Sequence, residues 1–124
     1  MDEGMLMKVF VVHSMGMSKD ALRYAKGLED DGHDTYVPCR DTVQVPPDKT
    51  EEDLKLNWER EILAQNLKGV IWCDEAHCIW DLSSLGTIFD LGCAYALGKP
   101  IFIVKTKTHH WTKFIIKKEG NRLI

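Results

Sequence analysis

Asp90 is the side chain whose type and setting best suit bond-making chemistry in this sequence. It lies within Ser84–Gly92, a segment in which Gly86 and Thr87 precede the acid. We expect this segment to enter a helix, whose macrodipole would keep a first-turn carboxylate ionised at neutral pH. An ionised carboxylate beside a crevice can attack an anomeric carbon or stabilise an oxocarbenium-like centre. The alternative interpretation is that Thr87 and Asp90 form a capping box, with Asp90 only capping its own helix.

A second pair of acids, Asp74 and Glu75, directly follows the apolar run Gly69–Cys73. We interpret this run as a buried strand, so the acids would lie at a sheet edge. There they could bind a sugar hydroxyl, or one could act as a general acid with a raised pKa. The alternative is a solvated loop start. Trp80 falls in the loop predicted from Asp74 to Gly86, where it could stack on a base or close a lid.

Two further segments could bind an anion. Arg40 and Asp41 follow Pro38 and Cys39, and the guanidinium could hold a phosphate or carboxylate with two hydrogen bonds. The alternative is a surface ion pair. His13 ends the first predicted strand, and the loop through Ser14 and Gly16 leads to a helix whose free amides could bind a phosphate. The alternative is a histidine whose hydrogen bonds are satisfied at the strand end.

The elements that must position these residues follow from apolar runs and stop signals. Buried strands are predicted at Met7–His13, His33–Val37, Gly69–Cys73 and Ile101–Val104, with helices from Ser18 to before Gly32, from Thr50, and over Thr87–Leu97. Strands that are apolar throughout and alternate with helices are typical of a parallel sheet covered on both faces. We therefore predict one α/β domain over residues 1–124, with a doubly wound, flavodoxin- or Rossmann-like, mostly parallel sheet of four to five strands. Its ligand crevice would lie at the carboxyl ends of the strands.

Composition excludes several classes of protein. The 124 residues are 44% hydrophobic and carry a formal net charge of −3. This charge argues against attachment to nucleic acid or anionic lipid by electrostatics alone. The N-terminus has no signal-peptide pattern, so we expect a cytoplasmic protein. Cys73, His77 and Cys78 lack the second close-spaced pair that structural zinc needs, and we expect neither a metal nor a cofactor.

The run Gly69–Asp74 followed by Ser84–Ile101 resembles the nucleoside 2-deoxyribosyltransferase family. The shared features are an acid-bearing loop, a glycine-rich helix entry with an acid, an alanine-containing helix, and Gly-Lys-Pro. Pro38–Asp41 is similar to a segment of the same relatives. The resemblance implies cleavage or transfer of the N-glycosidic bond of a nucleoside or nucleoside 5′-monophosphate through a carboxylate at Asp90. It also implies a homodimer or higher homo-oligomer.

This sequence departs from the family pattern at two places. Characterised members usually carry Glu where this chain has Asp90, which is one methylene shorter, and the loop His13–Met17 replaces an aromatic residue and small residues. A non-catalytic nucleotide sensor and an interaction module therefore stay open beside the enzyme. The predicted catalytic residues are Asp90 and Asp74, and the predicted substrate-binding residues are His13, Ser14, Gly16, Arg40, Asp41, Trp80, Gly86 and Thr87.

Overall fold

The computed structural model of the chain describes residues 6–43, 51–81, 84–106 and 122–123. The elements are β1 (Lys8–His13), α1 (Ser18–Asp30), β2 (Asp34–Tyr36), α2 (Pro38–Asp41), α3 (Glu51–Trp72), β3 (Glu75–Trp80), α4 (Leu85–Ala96), β4 (Ile101–Thr106) and β5 (Arg122–Leu123). A single 3-10 turn, Met15–Met17, joins β1 to α1. Residues 107–121, where a further short element was expected near Phe114–Ile116, lie outside the described residues.

The sheet has the order β2-β1-β3-β4-β5, with parallel pairing among the first four strands and antiparallel pairing of β5 with β4. Residues of β1 alternate between two cores. Phe10 and Val12 pack in the core that includes residues of α3 and α4, whereas Val9 and Val11 pack against α1. Helices thus cover both faces, and the predicted doubly wound α/β fold is confirmed. Among the described helices, none is long and apolar enough to cross a membrane.

The third strand is where the sequence prediction was wrong. Gly69–Trp72 forms the last turn of α3, and β3 occupies Glu75–Trp80, which was predicted to be a loop. Lys99 stabilises the helical outcome because its Nζ donates to the carbonyl oxygens of Ile71 (3.1 Å) and Cys73 (2.7 Å), groups that a helix end leaves unpaired. A five-residue apolar run cannot by itself separate a buried strand from a helix end.

The two tryptophans near this junction exchange their expected environments. Trp80 was predicted in an open loop but is 2% exposed in the core. Trp72 was predicted in the core but is 37% exposed, with Lys8 Nζ lying 5.7 Å from its ring centroid. Both changes follow from the shift of β3 by several residues along the chain.

Close packing fixes α3 against the sheet. A Cβ atom on Gly69 would lie 2.7 Å from Phe10 Cε2, so glycine is required for this approach. The Phe10 ring is itself held by stacking on Tyr36, with 5.2 Å between ring centroids and a 12° interplanar angle. Asn66, about one turn before Gly69 on the same inward side, is thereby directed towards the sheet and α4.

Candidate functional site

Asp90 lies in the second turn of α4, on the inward face that it shares with Thr87 and Ala94. The helix is capped by Ser84, whose Oγ accepts a hydrogen bond from the Thr87 N–H at 3.3 Å. The first turn carries no acid. The capping interpretation of Asp90 is therefore wrong, and its carboxylate faces the interior.

Burial controls the ionisation of Asp90. The residue is 5% exposed, and this burial raises the pKa of its carboxyl to about 7, while a hydrogen bond from the Asn66 side chain acts to lower it. The expectation that the helix dipole keeps Asp90 ionised is wrong, because that stabilisation is confined to the first turn. At neutral pH the carboxyl is divided between its protonated and ionised forms.

The Asn66 side chain belongs to a line of hydrogen bonds. Thr42 Oγ1 donates to Asn66 Oδ1 at 2.7 Å, so the amide nitrogen of Asn66 is the atom that can donate to Asp90. Tyr36 Oη lies 2.6 Å from Thr42 Oγ1. Because the Thr42 proton is already donated to Asn66, Tyr36 is the donor to Thr42. We call Tyr36, Thr42, Asn66 and Asp90 the Asp90 chain.

Sequence reasoning missed Asn66, Thr42 and Tyr36, although Asn66 did carry a signal. It lies four residues after Ile62 and four before Val70, so a polar side chain occupies an otherwise apolar face of the helix. It is 8% exposed, and a buried amide requires partners. Leu63 and Leu67 belong to the same helix but are exposed by 37% and 36%.

Thr87 and Gly86 lie beside Asp90 at the start of α4. Thr87 is 1% exposed, and its Oγ1 has no hydrogen-bond partner within the described part of the chain. A buried hydroxyl without a partner, one turn from a buried acid, can still bond to a ligand. At Gly86 a Cβ would meet only Ser84 Oγ at 3.7 Å, so no crowding within the protein requires glycine.

The loop after β1 lies at the carboxyl edge of the sheet together with Asp81. Ser14 is 1% exposed, and its Oγ accepts from the Asp81 N–H at 3.2 Å. A Cβ on Gly16 would lie 3.4 Å from Asp81 Oδ2. Asp81 directly follows β3, so it supplies the acid that was predicted at this edge. It was missed because the strand was placed too early in the sequence.

His13 uses both ring nitrogens within the protein. Its Nε2 accepts from the Cys39 N–H at 3.2 Å, and its Nδ1 lies 3.0 Å from the Ser14 carbonyl oxygen, to which it donates. Burial lowers the pKa of His13, although the bond to Ser14 opposes this, so the ring is neutral at neutral pH. His13 therefore connects the β1–α1 loop to α2 and does not present a charge to an anion.

Arg40 and Asp41 form an internal ion pair. Arg40 donates from Nε and Nη2 to the two carboxylate oxygens of Asp41 at 2.9 and 2.8 Å, and from Nη1 to Glu29 Oε2 at 3.1 Å. Its pKa is raised, chiefly by the bond to Asp41. Burial acts to raise the pKa of Asp41, but bonds from Arg40 and the Val37 N–H lower it overall. The bond from Arg40 to Glu29 holds α2 against α1, and the Arg40–Asp41 pair is the surface ion pair of the alternative interpretation.

Asp74 lies at the opposite edge of the sheet from the one predicted. Its Oδ2 accepts from the Lys8 N–H at 2.9 Å, and its own N–H donates to the Lys8 carbonyl at 2.7 Å. Lys8 begins β1, so Asp74 marks the amino edge of the sheet and not the carboxyl edge, where the ligand crevice was predicted. The expectation that Trp80 stacks on a base or forms a lid is also wrong, because its ring is in the core.

A second polar cluster lies on the α1 face. The Tyr24 hydroxyl is hydrogen-bonded to His77 Nδ1, and His77 Nε2 lies 2.7 Å from Glu75 Oε1. These three residues, which we call the His77 cluster, line a cavity of about 470 Å³ together with Leu28 and Phe102, among others. Burial, and then the charge of Glu75, raise the pKa of Tyr24. Across the described ranges, no group of three or more His, Cys, Asp or Glu side chains could hold a metal ion.

The fold and the site together define a doubly wound α/β protein with a buried acid on the helix that follows β3. The family model described as nucleoside 2-deoxyribosyltransferase matches residues 12–123, and the chain belongs to this family. In fold it is similar to the solved 2-deoxyribosyltransferase of the psychrotolerant bacterium Bacillus psychrosaccharolyticus. That match has a TM-score of 0.66 and 20% identity, and it covers 85% of this chain and 78% of the other. No curated protein matches the sequence.

Proposed function

We propose that the protein cleaves or transfers the N-glycosidic bond of a (deoxy)nucleoside or nucleoside 5′-monophosphate, with Asp90 as the reacting carboxylate. The observation that carries the proposal is the state of Asp90, which is 5% exposed and bonded to Asn66, with a pKa raised to about 7. Buried acids with displaced pKa values are characteristic of reactive sites. Family membership supports the class of substrate.

In the proposed reaction the ionised Asp90 attacks C1′ of the sugar. The C1′–N bond breaks, its electron pair passes to the base nitrogen, and the departing base takes up a proton. The resulting glycosyl ester is opened when a second base or water attacks C1′, which frees the Asp90 carboxylate. Attack by a base gives transfer, and attack by water gives hydrolysis.

The remaining site residues follow from their positions. Thr87 has a buried hydroxyl available to a ligand, and Ser14, Gly16 and Asp81 lie together at the carboxyl edge, where Asp81 would accept a bond from a sugar hydroxyl. Asn66 holds Asp90. We leave Asp74, Trp80, Arg40 and Asp41 outside the site, because the first lies at the amino edge, the second in the core, and the last two in an internal ion pair. His13 supports the loop, and we assign no direct role to Gly86.

A second candidate function is nucleotide binding without turnover. It is favoured by the small exposure of Asp90 and by the shorter reach of Asp than of Glu. A misplacement of about 1 Å can cost on the order of a hundredfold in rate. In this case a nucleotide would raise the melting temperature of the protein, but no base would be released.

The deciding experiment is a panel of nucleosides and 5′-monophosphates incubated with concentrated protein and analysed by chromatography for free base. A parallel set includes an acceptor base, so that transfer gives a new nucleoside and hydrolysis gives free sugar. The test variant is Asp90→Asn, and the matched control is Asp34→Asn, an exposed acid at the start of β2. Loss of product in Asp90→Asn alone supports the enzyme. Thermal stabilisation without product from any substrate supports the binding protein.

We further propose a homodimer or higher oligomer formed through α3. Leu63, Leu67 and Ile71 recur every four residues and are exposed by 37%, 36% and 56%, which gives one apolar stripe on the outer side of this helix. Light scattering after gel filtration should give a multiple of the 14.2 kDa chain mass, and Ile71→Asp should reduce it to one chain. A monomeric wild-type protein would contradict this proposal.

The compartment and the domain organisation complete the proposal. Cys39, Cys73, Cys78 and Cys93 all carry free thiols, which fits the reducing environment of a cytoplasm. A single domain over residues 1–124 is supported by the one sheet that unites all described strands. Mass spectrometry of alkylated protein from its native cells would show four modified cysteines if the compartment is reducing, and disulfides if it is not.

A further inference from the structure

The Asp90 chain brings together groups from four separate parts of the fold. Tyr36 ends β2, Thr42 follows α2, Asn66 belongs to α3, and Asp90 belongs to α4. The oxygen–oxygen distances are 2.6 Å from Tyr36 to Thr42 and 2.7 Å from Thr42 to Asn66. Thr42 is 4% exposed and Asn66 is 8% exposed, so bulk water has little access to replace either bond. Tyr36 donates to Thr42, and Thr42 donates to Asn66.

The orientation of the Asn66 amide decides whether a hydrogen-bond donor or an acceptor faces the Asp90 carboxylate. An amide can present either its nitrogen, which donates, or its oxygen, which only accepts. Thr42 donates to Oδ1, which fixes the oxygen on the Thr42 side and leaves the nitrogen facing Asp90. A reversed amide would set its oxygen against the carboxylate and disfavour the ionised form.

Tyr36 acts one step further away. The Tyr36 hydroxyl lies 2.6 Å from Thr42 Oγ1, and a proton donated by Tyr36 leaves the Thr42 proton to be donated to Asn66. Tyr36 is in turn held by its stacking on Phe10. The stacking on Phe10 therefore fixes the position of the first hydrogen-bond donor in the Asp90 chain.

We propose that Thr42 and Tyr36 are positioning residues that act through Asn66 to hold the Asp90 carboxylate in its ionised, reactive orientation. This inference rests on the proposed function of Asp90. It assigns a role in the reaction to two hydroxyls that need not touch the substrate. The expected effect of each is on the ionisation of Asp90 and on the rate, because neither residue recognises the ligand.

The other titratable groups that face Asp90 do not ionise in the pH range in which Asp90 titrates. Among the described residues they are Tyr36, Cys78 and Cys93, and burial, together with the charge of Asp90, raises the pKa of each, that of Cys78 to about 12. All three remain neutral while Asp90 titrates near pH 7.

The experiment combines carboxyl ¹³C NMR titration of Asp90 with the pH profile of base release. The Asp90 resonance is assigned by its absence in Asp90→Asn. In Thr42→Val we expect the pKa of Asp90 to rise by about one unit, with KM nearly unchanged. The acidic limb of the kcat/KM profile, on which the rate rises as Asp90 ionises, should move by the same amount. Thr42→Ser keeps the hydroxyl and should restore both values. Tyr36→Phe, which keeps the ring stacked on Phe10, should give a smaller shift in the same direction.

Thr35→Val is the matched control, because Thr35 Oγ1 donates to Glu29 at 2.8 Å and takes no part in the chain. An unshifted Asp90 in Thr42→Val overturns the inference, and if that variant does not fold, an unshifted Asp90 in Tyr36→Phe overturns it. The titration needs no turnover. A shifted Asp90 in a protein that releases no base would support the chain's control of Asp90 ionisation, while removing the glycosidic function and with it the assigned role in the reaction.

Discussion

The two faces of the sheet each carry a hydrogen-bonded line that starts at a tyrosine. On the α1 face, the His77 cluster runs from Tyr24 through an imidazole to Glu75. On the α3/α4 face, the Asp90 chain runs from Tyr36 through a hydroxyl and an amide to Asp90. The acid of the α1-face cluster lies beside an imidazole, whereas the acid of the Asp90 chain accepts a hydrogen bond from an amide.

This difference separates a structural cluster from a reactive one. Glu75 has an imidazole nitrogen within hydrogen-bond distance, so its carboxylate has a direct side-chain partner. Asp90 has one amide donor, and burial raises its pKa to about 7. Proteins accept such a cost in stability mainly where a function requires it. We therefore expect changes to the two clusters to separate activity from stability.

The largest expected effect is on turnover. Asp90→Asn removes the nucleophile and should lower base release by at least about a thousandfold, a loss typical of removing a covalent catalyst. Glu75→Gln keeps an oxygen acceptor for His77 and should leave the rate within about threefold. Chromatographic rates at matched enzyme concentration check both. Equal losses in the two variants would mean that the comparison between the faces is mistaken.

The next largest effect is on the pH dependence of stability. The unfolded Asp90 carboxyl ionises near 3.8, whereas the folded one keeps its proton to about pH 7, so the folded state binds more protons between these values. The contribution of Asp90 to stability should fall as pH rises from about 4 to 7, by up to about 4 kcal/mol, and then level off. Asp90→Asn should lose this decline and be more stable than wild type at pH 8.

Urea denaturation at pH 4.5 and pH 8 checks this prediction. Asp34→Asn serves as the control, since its side chain is exposed and its loss should leave the decline in place. A wild-type protein whose stability changes over this interval no differently from that of Asp90→Asn would show that Asp90 is not buried in its acidic form.

A third prediction compares a glycine from each face. Gly69→Ala forces a Cβ to within 2.7 Å of a buried phenyl ring and should destabilise the fold by about 1–3 kcal/mol. Gly27→Ala, in α1, meets no atom within 4 Å and should stabilise by up to about 1 kcal/mol through helix propensity. Thermal unfolding of the two variants is the measurement. Opposite signs are expected, and stabilisation by Gly69→Ala would refute the close approach of α3 to β1.

The smallest expected effect comes from Tyr24→Phe. This variant removes one hydrogen bond to His77 and should cost about 1 kcal/mol of stability, with base release unchanged. The comparable change on the other face, Tyr36→Phe, should alter the pH profile. An altered pH profile in Tyr24→Phe would assign the His77 cluster to the reaction.

Most of the fold was predictable from the sequence because four of its elements carry strong local patterns. β1, α1, α4 and β4 lie within a few residues of their predicted positions, and Gly32 and Gly98 adopt the positive φ values of 93° and 71° that mark helix ends. The third strand was misplaced because Glu75 and His77 make β3 look polar. His77 is hydrogen-bonded to Glu75 and to Tyr24, and Tyr24 lies 53 residues away in the sequence, so no local pattern reveals that bond.

The sequence was enough to predict Asp90 as a candidate site residue, but it was not enough to predict the residues that surround Asp90. Asp90 stood out through its position near a helix entry, but its pKa depends on burial beneath α3 and on Asn66, which is 24 residues away. Asp74 was placed at the wrong edge as a direct consequence of the misplaced strand. Arg40 was predicted as an anion ligand, yet its partner Glu29 comes from another element. Long-range partners decide which polar residues remain available, and the sequence alone does not supply them.

The most direct test of the account is single-turnover release of base with enzyme in excess over each nucleoside or 5′-monophosphate, measured from pH 6 to pH 8.5. We predict that at least one substrate loses its base at a rate that rises with pH through about 7, as Asp90 ionises, and that Asp90→Asn abolishes the release. Absence of release at every pH, or equal release by Asp90→Asn, would contradict the assignment of Asp90 as the reacting carboxylate.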